Sequence, residues 1–351
     1  MFKKVKNLIS ILKDMKSKAD DTLNHYCDFL SPGIWKSSYG LMSLYKKGYK
    51  KFSQTENAFT MRNYFYNSSG LSGSEHLANF LFYRFYRFKK SINQSDVQGQ
   101  VLTINSHKTA AKIVNIDQNY LVTVYSNANI MLDYLTKRDI WTNAGDGNCF
   151  HVPDTLERNF ERLYVKEAFL TKSTFSVEEG FETIVHDYLN LFNIIGGESV
   201  RGNITEEQEN KIIEIAKKLG IENIGNRALL FMRSEKYRIN LSHGDLFKFN
   251  LIKSNGIYYY IDFEIVGKRC FFFDWFKYMA VSYRYGKNLL NSYMNGEYDN
   301  YFEKLFKCND VEYDPNEREV YLFVFEMIST DFGRFTPLWN YKEIWDISNN
   351  K

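Results

Sequence analysis

The chain has 351 residues, 44% hydrophobic and 17% aromatic, and its 45 Lys and Arg against 42 Asp and Glu leave a net charge of +3. That length and apolar content suit one large domain or two lobes, four prolines argue against long disordered linkers, and the balanced charge singles out no partner. Cysteines at 27, 149, 270 and 308 form no C-x-x-C pair, which excludes a disulfide framework or thiolate zinc site and reads as a reduced, cytoplasmic protein.

In residues 1–24, Phe2, Val5, Leu8, Ile9, Leu12 and Met15 recur at helical spacing, with Lys3, Lys4, Lys6, Lys13, Lys16 and Lys18 on the other face. Two readings stand: a helix lying on an anionic membrane surface, or an amphipathic helix packed on the body of the protein. The apolar core of this segment is too short for a usual signal peptide, and no run in the chain approaches the length of a membrane span. In NSSGLSGSE (67–75), Gly70 and Gly73 precede an expected helix instead of joining two strands, so a turn with Ser72 or Ser74 as helix cap is expected before a phosphate loop. Residues 75–90 interleave aromatics with Arg84, Arg87, Lys89 and Lys90. Base stacking is one reading, and a core helix with snorkelling basic side chains is the favoured one, so no nucleic-acid partner is expected. Residues 1–98 therefore read as a mostly helical extension.

Residues 99–126 read as three strands, GQVLTIN, AAKIVNID and NYLVTVYS, with a turn at Asp117-Gln118-Asn119. A helical stretch (129–142) and two further strands, FHVPDTLE and RLYVKEAFL, follow. From 176 the pattern turns helical: Phe181, Ile184, Val185, Tyr188, Leu189, Phe192 and Ile195 mark one buried face. Thr205 with Gln208 predicts a capping box, and Gly220 predicts the stop of that helix. Further helices are expected at 226–236, 275–292, 297–307 and 316–330. The strand-rich part (99–170) and the helical part (171–351) make an α+β chain.

Chemistry concentrates in residues 241–274. Asp245 and Asn250 lie five residues apart in HGDLFKFN, and two apolar runs follow, joined by Ser254-Asn255-Gly256. Asn-Gly between such runs predicts a hairpin, because both residues accept positive φ. The hairpin returns Asp262 to the loop that carries Asp245 and Asn250. Two carboxylates and an amide so gathered can position a hydroxyl and hold Mg²⁺ for phosphoryl transfer.

His243-Gly244-Asp245-Leu246 with Asn250, then Ile261-Asp262-Phe263-Glu264, then Asp274, resembles the aminoglycoside phosphotransferase and choline kinase family. The resemblance implies a protein-kinase-like two-lobe fold, with a small antiparallel β-sheet lobe at 99–170 and a larger helical lobe at 171–351. It implies ATP and Mg²⁺, with the γ-phosphate passing to a hydroxyl of a small molecule such as a sugar, amino alcohol or glycan precursor. Asp245 would be the base, Asn250 and Asp262 the metal ligands, and His243 a holder of the loop shape. Asp274 would brace the loop, and Glu264 would lie behind the metal. Backbone groups near Glu167, Ala168 and Phe169 would hold adenine.

Two departures from the family pattern matter. Lys248 stands where the family often has Pro, and it either supplies charge to the transferring phosphoryl group or faces solvent. The strand Leu121–Ser126 lacks the expected phosphate-binding lysine, and Lys112 on the neighbouring strand is the expected substitute. A catalytically weak nucleotide- or partner-binding protein is the alternative reading. Two short motifs compete. Asp331-Phe332-Gly333 spells a kinase metal motif but falls late, as an expected helix end. Gly145-Asp146-Gly147-Asn148-Cys149-Phe150 resembles the nucleophile motif of ovarian-tumour-type cysteine proteases, with Cys149 as nucleophile, although Val152-Pro153 suits a turn into a strand better.

Overall fold

The computed structural model describes residues 2–37, 57–60, 73–91, 95–104, 109–147, 149–283 and 289–330. The chain divides into two units, one of residues 1–133 with 153–170 and one of residues 134–152 with 171–351.

The first unit is built on β1 (Gly33–Ser37), β2 (Asn57–Thr60), β3 (Arg87–Lys90), β4 (Val101–Ile104), β5 (Ala110–Asn115), β6 (Tyr120–Tyr125), β7 (Thr155–Asn159) and β8 (Tyr164–Ala168). They form one sheet in the order β3-β1-β2-β4-β5-β6-β8-β7. The half from β4 to β7 is antiparallel, as expected, whereas β2 runs parallel to both β1 and β4. The β5–β6 turn follows from its side chains: Asn115 accepts from the Gln118 amide at 2.8 Å, and Asn119 takes φ 53°, which Asn tolerates. Two helices, α1 (Phe2–His25) and α2 (Gly73–Phe85), supply Met15, Ala19, Leu23, Ala78 and Phe82 to a core with Leu102, Ala111, Ile113 and Val122 of the sheet. Ala58, Val101 and Val114 form a smaller cluster, packed against by Leu121 and Phe169.

Residues 1–98 are thus no separate helical extension. Their strands β1, β2 and β3 complete the same sheet as β4 to β8. The helix expected over 75–90 stops at Phe85, and Arg87–Lys90 pairs antiparallel with β1, with Phe88 opposite Trp35. Strands of four or five residues carry too few alternations to announce themselves, and the parallel β2–β4 pairing is non-local.

The second unit holds α3 (Ala128–Thr142) from Tyr134 on, then α4 (Val177–Ile195), the short β9 (Val200–Arg201), α5 (Glu206–Leu219) and α6 (Glu222–Arg233). After them come β10 (Arg238–Ser242), β11 (Leu251–Ser254), β12 (Ile257–Tyr260), β13 (Gly267–Cys270), α7 (Phe273–Tyr283), α8 (Leu289–Met294), α9 (Asp299–Cys308) and α10 (Arg318–Thr330). Capping boxes start α4 at Ser176 and α5 at Thr205, and Gly220 ends α5 at φ 71°. Phe181, Ile184, Val185, Tyr188 and Phe192 of α4 are buried, as their spacing predicts. Of the helix expected over 275–292, the described residues form α7 and α8. The core is aromatic: Trp275, Phe276, Phe302 and Phe306 are fully buried, each contributing roughly 2–3 kcal/mol by burial.

Residues 150–152, grouped by sequence with the strand-rich lobe, belong to this second unit. The Tyr260 amide donates to the His151 carbonyl at 2.8 Å, and the Phe150 ring lies 4.1 Å from that of Trp141. Among the described residues no helix is long and apolar enough to cross a membrane.

Candidate active site

The site is assembled where β10 ends. His243 and Gly244 follow it, and their backbone amides are taken by one carboxylate. Asp274 accepts from the His243 amide at 2.7 Å through Oδ2 and from the Gly244 amide at 2.9 Å through Oδ1. The Tyr188 hydroxyl of α4 donates to the same Oδ2. Asp274 is 1% exposed and stands in the first turn of α7, where the helix dipole favours an anion. Burial, with the Asp274 charge added, pushes the Tyr188 hydroxyl well above its ordinary range. Asp274 is the brace that the resemblance implies.

Gly244 has φ +83°, and a Cβ there would lie 2.6 Å from the Arg269 guanidinium and 2.7 Å from the Ile265 carbonyl. Only glycine fits that turn. His243 is fully buried, and its Nε2 lies 3.1 Å from the Ile261 carbonyl. A carbonyl only accepts, so the proton sits on Nε2. Burial depresses the imidazole pKa, against the pull of Asp274, Asp262 and Asp245. His243 therefore acts as a neutral strut from the loop to the residue before Asp262.

The Asn250 side-chain Nδ2 donates to the Asp245 backbone carbonyl at 2.8 Å, which closes the loop on itself. The Asn250 carbonyl accepts from the Ile261 amide at 3.1 Å. Asn255 (φ 51°) and Gly256 (φ 82°) make the expected hairpin turn, and Leu251 pairs with Tyr260. Asp262 is thereby returned to the loop, at φ 71°, a left-handed conformation that a non-glycine residue holds only under constraint. The hairpin is anchored from α4: Glu179 accepts from Lys253 and from the Tyr258 hydroxyl. Those bonds, Lys253 first, hold its carboxyl down at about 2. Tyr260 donates to Asp187 at 2.9 Å.

Asn250 and Asp262 are hard oxygen donors, of the kind Mg²⁺ takes as one or two protein ligands beside substrate phosphates. Among the described residues no group of three or more His, Cys, Asp or Glu side chains could hold a metal ion. The donor set fits a cation shared with a phosphate-bearing substrate.

The lysines are arranged otherwise than their spacing suggests. Lys248 donates to the Phe175 carbonyl at 2.7 Å, with its ammonium over the Phe175 ring, so it ties the loop to the segment before α4. The cation on Asp245 is Lys277, with Nζ 3.1 Å from Asp245 Oδ1. Lys277 is 2% exposed, and burial brings its pKa down to about 8 against the pull of Asp245 and Asp274. Sequence reasoning missed it. The available signal was a lone lysine in FFFDWFKYMA, three residues after Asp274 and so near it on the helix surface. Arg269, buried beside Gly244, was missed too; it donates to the Ile265 carbonyl at 2.7 Å.

The nucleotide candidates lie in the first unit. Lys112 is opposite Thr123, Val114 opposite Leu121, and Leu121 opposite Glu167. Strand alternation therefore sets Lys112 and Glu167 on the sheet face of Val114 and Leu121, the face that Phe169 packs against. The Ala168 amide donates to the Asp154 carbonyl and the Phe169 amide to the Asn119 carbonyl, each at 2.9 Å. Those two donors, expected for adenine, are engaged within the unit.

The protease motif gains no site. Cys149 is buried with its thiol toward the Gly145 carbonyl at 3.6 Å, and an extended segment follows it instead of the helix that a protease nucleophile opens. Asp331-Phe332-Gly333 lies outside the described residues.

No protein-family model matches the chain, and no curated protein matches it. Among solved structures it is similar to kinases of small molecules. An aminoglycoside phosphotransferase from Streptomyces rimosus shares 12% identity over 65% of this chain and 92% of its own, with a TM-score of 0.40. Amicoumacin kinase shares 13% over 70% and 88%, with a TM-score of 0.41. The choline kinase LicA of Streptococcus pneumoniae shares 12% over 69% and 89%, with a TM-score of 0.38.

Proposed function

We propose that the chain is a phosphotransferase that moves the γ-phosphoryl group of ATP to a hydroxyl of a small molecule. What supports this reading is the pairing of a braced base with an oxygen donor set: Asp274 fixes the turn that presents Asp245, and Asn250 clamps the Asp245 carbonyl and leads into the hairpin that returns Asp262. Asp245 accepts the acceptor's proton as its oxygen bonds to the γ-phosphorus. The bond from that phosphorus to the β,γ-bridging oxygen breaks, and ADP leaves with the electron pair. Mg²⁺, held by Asn250 and Asp262, would neutralise phosphate charge. The protein's share is positioning and charge, which dominate catalysis of such transfers.

A sugar or glycan precursor at a membrane surface is the acceptor class we favour, in a cytoplasmic enzyme. Val5 and Ile9 of α1 are each 48% exposed beside Lys6 and Lys13, whereas Met15, Ala19 and Leu23 are buried, so the exposed apolar side chains that could touch anionic lipid lie in the first half of α1. Val5→Glu/Ile9→Glu should lower binding to anionic vesicles, and unchanged binding rejects that contact.

Turnover of ATP against sugars, amino alcohols and aminoglycosides tests the main reading. Asp245→Asn should cut the rate about 10²–10⁴-fold, as loss of a general base does; equal rates in both proteins reject the assignment. Chelation of divalent metal should abolish turnover. The engaged amides of Ala168 and Phe169 favour a second reading, a weak nucleotide binder without turnover. A thermal shift with Mg²⁺-ATP and no phosphorylated acceptor selects it.

A further inference from the structure

Lys277 is the buried group that the proposed chemistry leaves unexplained. It lies on α7, one helical turn beyond Asp274, and its ammonium meets Asp245 Oδ1 at 3.1 Å. A lysine at 2% exposure carries a desolvation cost that an apolar residue of the same length would avoid. Fold stability alone gives no reason for a cation here. Its partner is the carboxylate whose orientation the reaction depends on. We propose, on the basis of the phosphotransferase reading, that Lys277 is a positioning residue that pins Oδ1 of Asp245, so that Oδ2 faces the acceptor hydroxyl.

The geometry gives α7 two roles. Asp274 holds the backbone of the loop through the amides of His243 and Gly244, and Lys277, three residues on, holds its functional side chain. Backbone and carboxylate are then referenced to one rigid helix, and the loop has no freedom to rotate the base away. A cation beside a base also lowers its basicity. Phosphoryl transfer tolerates this, because its loose transition state asks more for alignment than for early proton removal. The positive charge also lies beside the oxygens on which charge develops. The charged groups acting on Lys277 are Asp245 from the loop, Asp274 from its own helix and Arg269 from β13, the last opposing its charge.

Lys277→Met and Lys277→Arg test the assignment. Lys277→Met should keep or raise the thermal midpoint, because a buried charge gives way to an apolar chain of similar volume. Its kcat should fall about 100-fold, the scale of a misplaced reacting group, with KM for ATP unchanged. Lys277→Arg should recover much of kcat. The wild-type rate should also decline as pH rises past about 8, where Lys277 loses its proton, and Lys277→Arg should lack that decline. A Lys277→Met enzyme with wild-type kcat overturns the proposal, as does an alkaline limb unchanged in Lys277→Arg; the second readout decides if the Met variant fails to fold. If no acceptor is phosphorylated by the wild type, the function is wrong and the pairing is tested alone. Lysine-selective NMR should then show Lys277 titrating about one pH unit or more lower in Asp245→Asn, for loss of its countercharge. An unmoved titration overturns the pairing.

Discussion

The loop, hairpin and helix of residues 243–277 and the sheet of the first unit are built on opposite principles. In the former, the contacts that hold the loop and its carboxylate chiefly join residues of one short stretch to each other, or to α4 and the segment just before it. Asp274 holds His243 and Gly244, Asn250 holds Asp245, and Lys277 meets Asp245. In the latter, β1 to β3 enter by non-local pairing, and β2 lies parallel to β4 across a long stretch of chain. A polar site is specified by few residues of exact type at exact spacing. A sheet half is specified by burial, which many sequences satisfy. The difference sorts the consequences of perturbing each.

Removing residues 1–98 is the largest perturbation. If they were an appended extension, the remaining chain would keep its sheet. In the structure, Met15, Leu23, Trp35, Phe59 and Phe82 are buried in the core shared with Leu102, Ile113 and Val122. Losing side chains of that size forfeits on the order of 10 kcal/mol, comparable to the whole stability of a domain. The 99–351 fragment should be insoluble or lack a cooperative melt. A soluble fragment with full strand content by circular dichroism would return residues 1–98 to the status of an appendage.

The contrast also explains what could be read in advance. The hairpin was legible because Asn255-Gly256 is a local signal for positive φ, and both residues adopt it. The α4 face and the Thr205 capping box were legible for the same reason, since period and cap are properties of a few adjacent residues. β1 to β3 were not, because GIWKS, NAFT and RFKK are too short for a period and find partners far along the chain. Within the site, Asp245, Asn250, Asp262 and Asp274 were legible as a motif. Lys277 was not: a lysine on an apolar helix face is ordinarily read as snorkelling, and only the fold brings the Asp245 carboxylate to it.

Asp274→Ala probes the short stretch from its centre. The substitution strips partners from two buried backbone amides and the Tyr188 hydroxyl. At about 1–3 kcal/mol for each of the three stranded buried donors, the loss should reach roughly 3–9 kcal/mol, with activity abolished. Urea denaturation reads it, and a loss below about 1 kcal/mol would mean that the loop is held by something other than Asp274.

The smallest effects sharpen the comparison furthest, because they separate backbone conformation from surroundings. Gly244 and Gly256 have almost the same positive φ, +83° and +82°, and lie in the same stretch. At Gly256 a Cβ would have no atom within 4 Å, so Gly256→Ala meets only the left-handed penalty, about 1–2 kcal/mol. At Gly244 the same Cβ would lie 2.6 Å from the Arg269 guanidinium and 2.7 Å from the Ile265 carbonyl. Arg269 cannot simply swing aside, since its own Nη2 is bonded to that carbonyl at 2.7 Å. Gly244→Ala should therefore cost about 1–3 kcal/mol beyond Gly256→Ala, the range for forcing atoms into a packed site, and should displace Asp245. Gly256→Ala should keep wild-type kcat while Gly244→Ala loses it. Equal stability losses for the two would show that φ alone governs both turns and that the packing of Arg269 against the loop does not constrain the base.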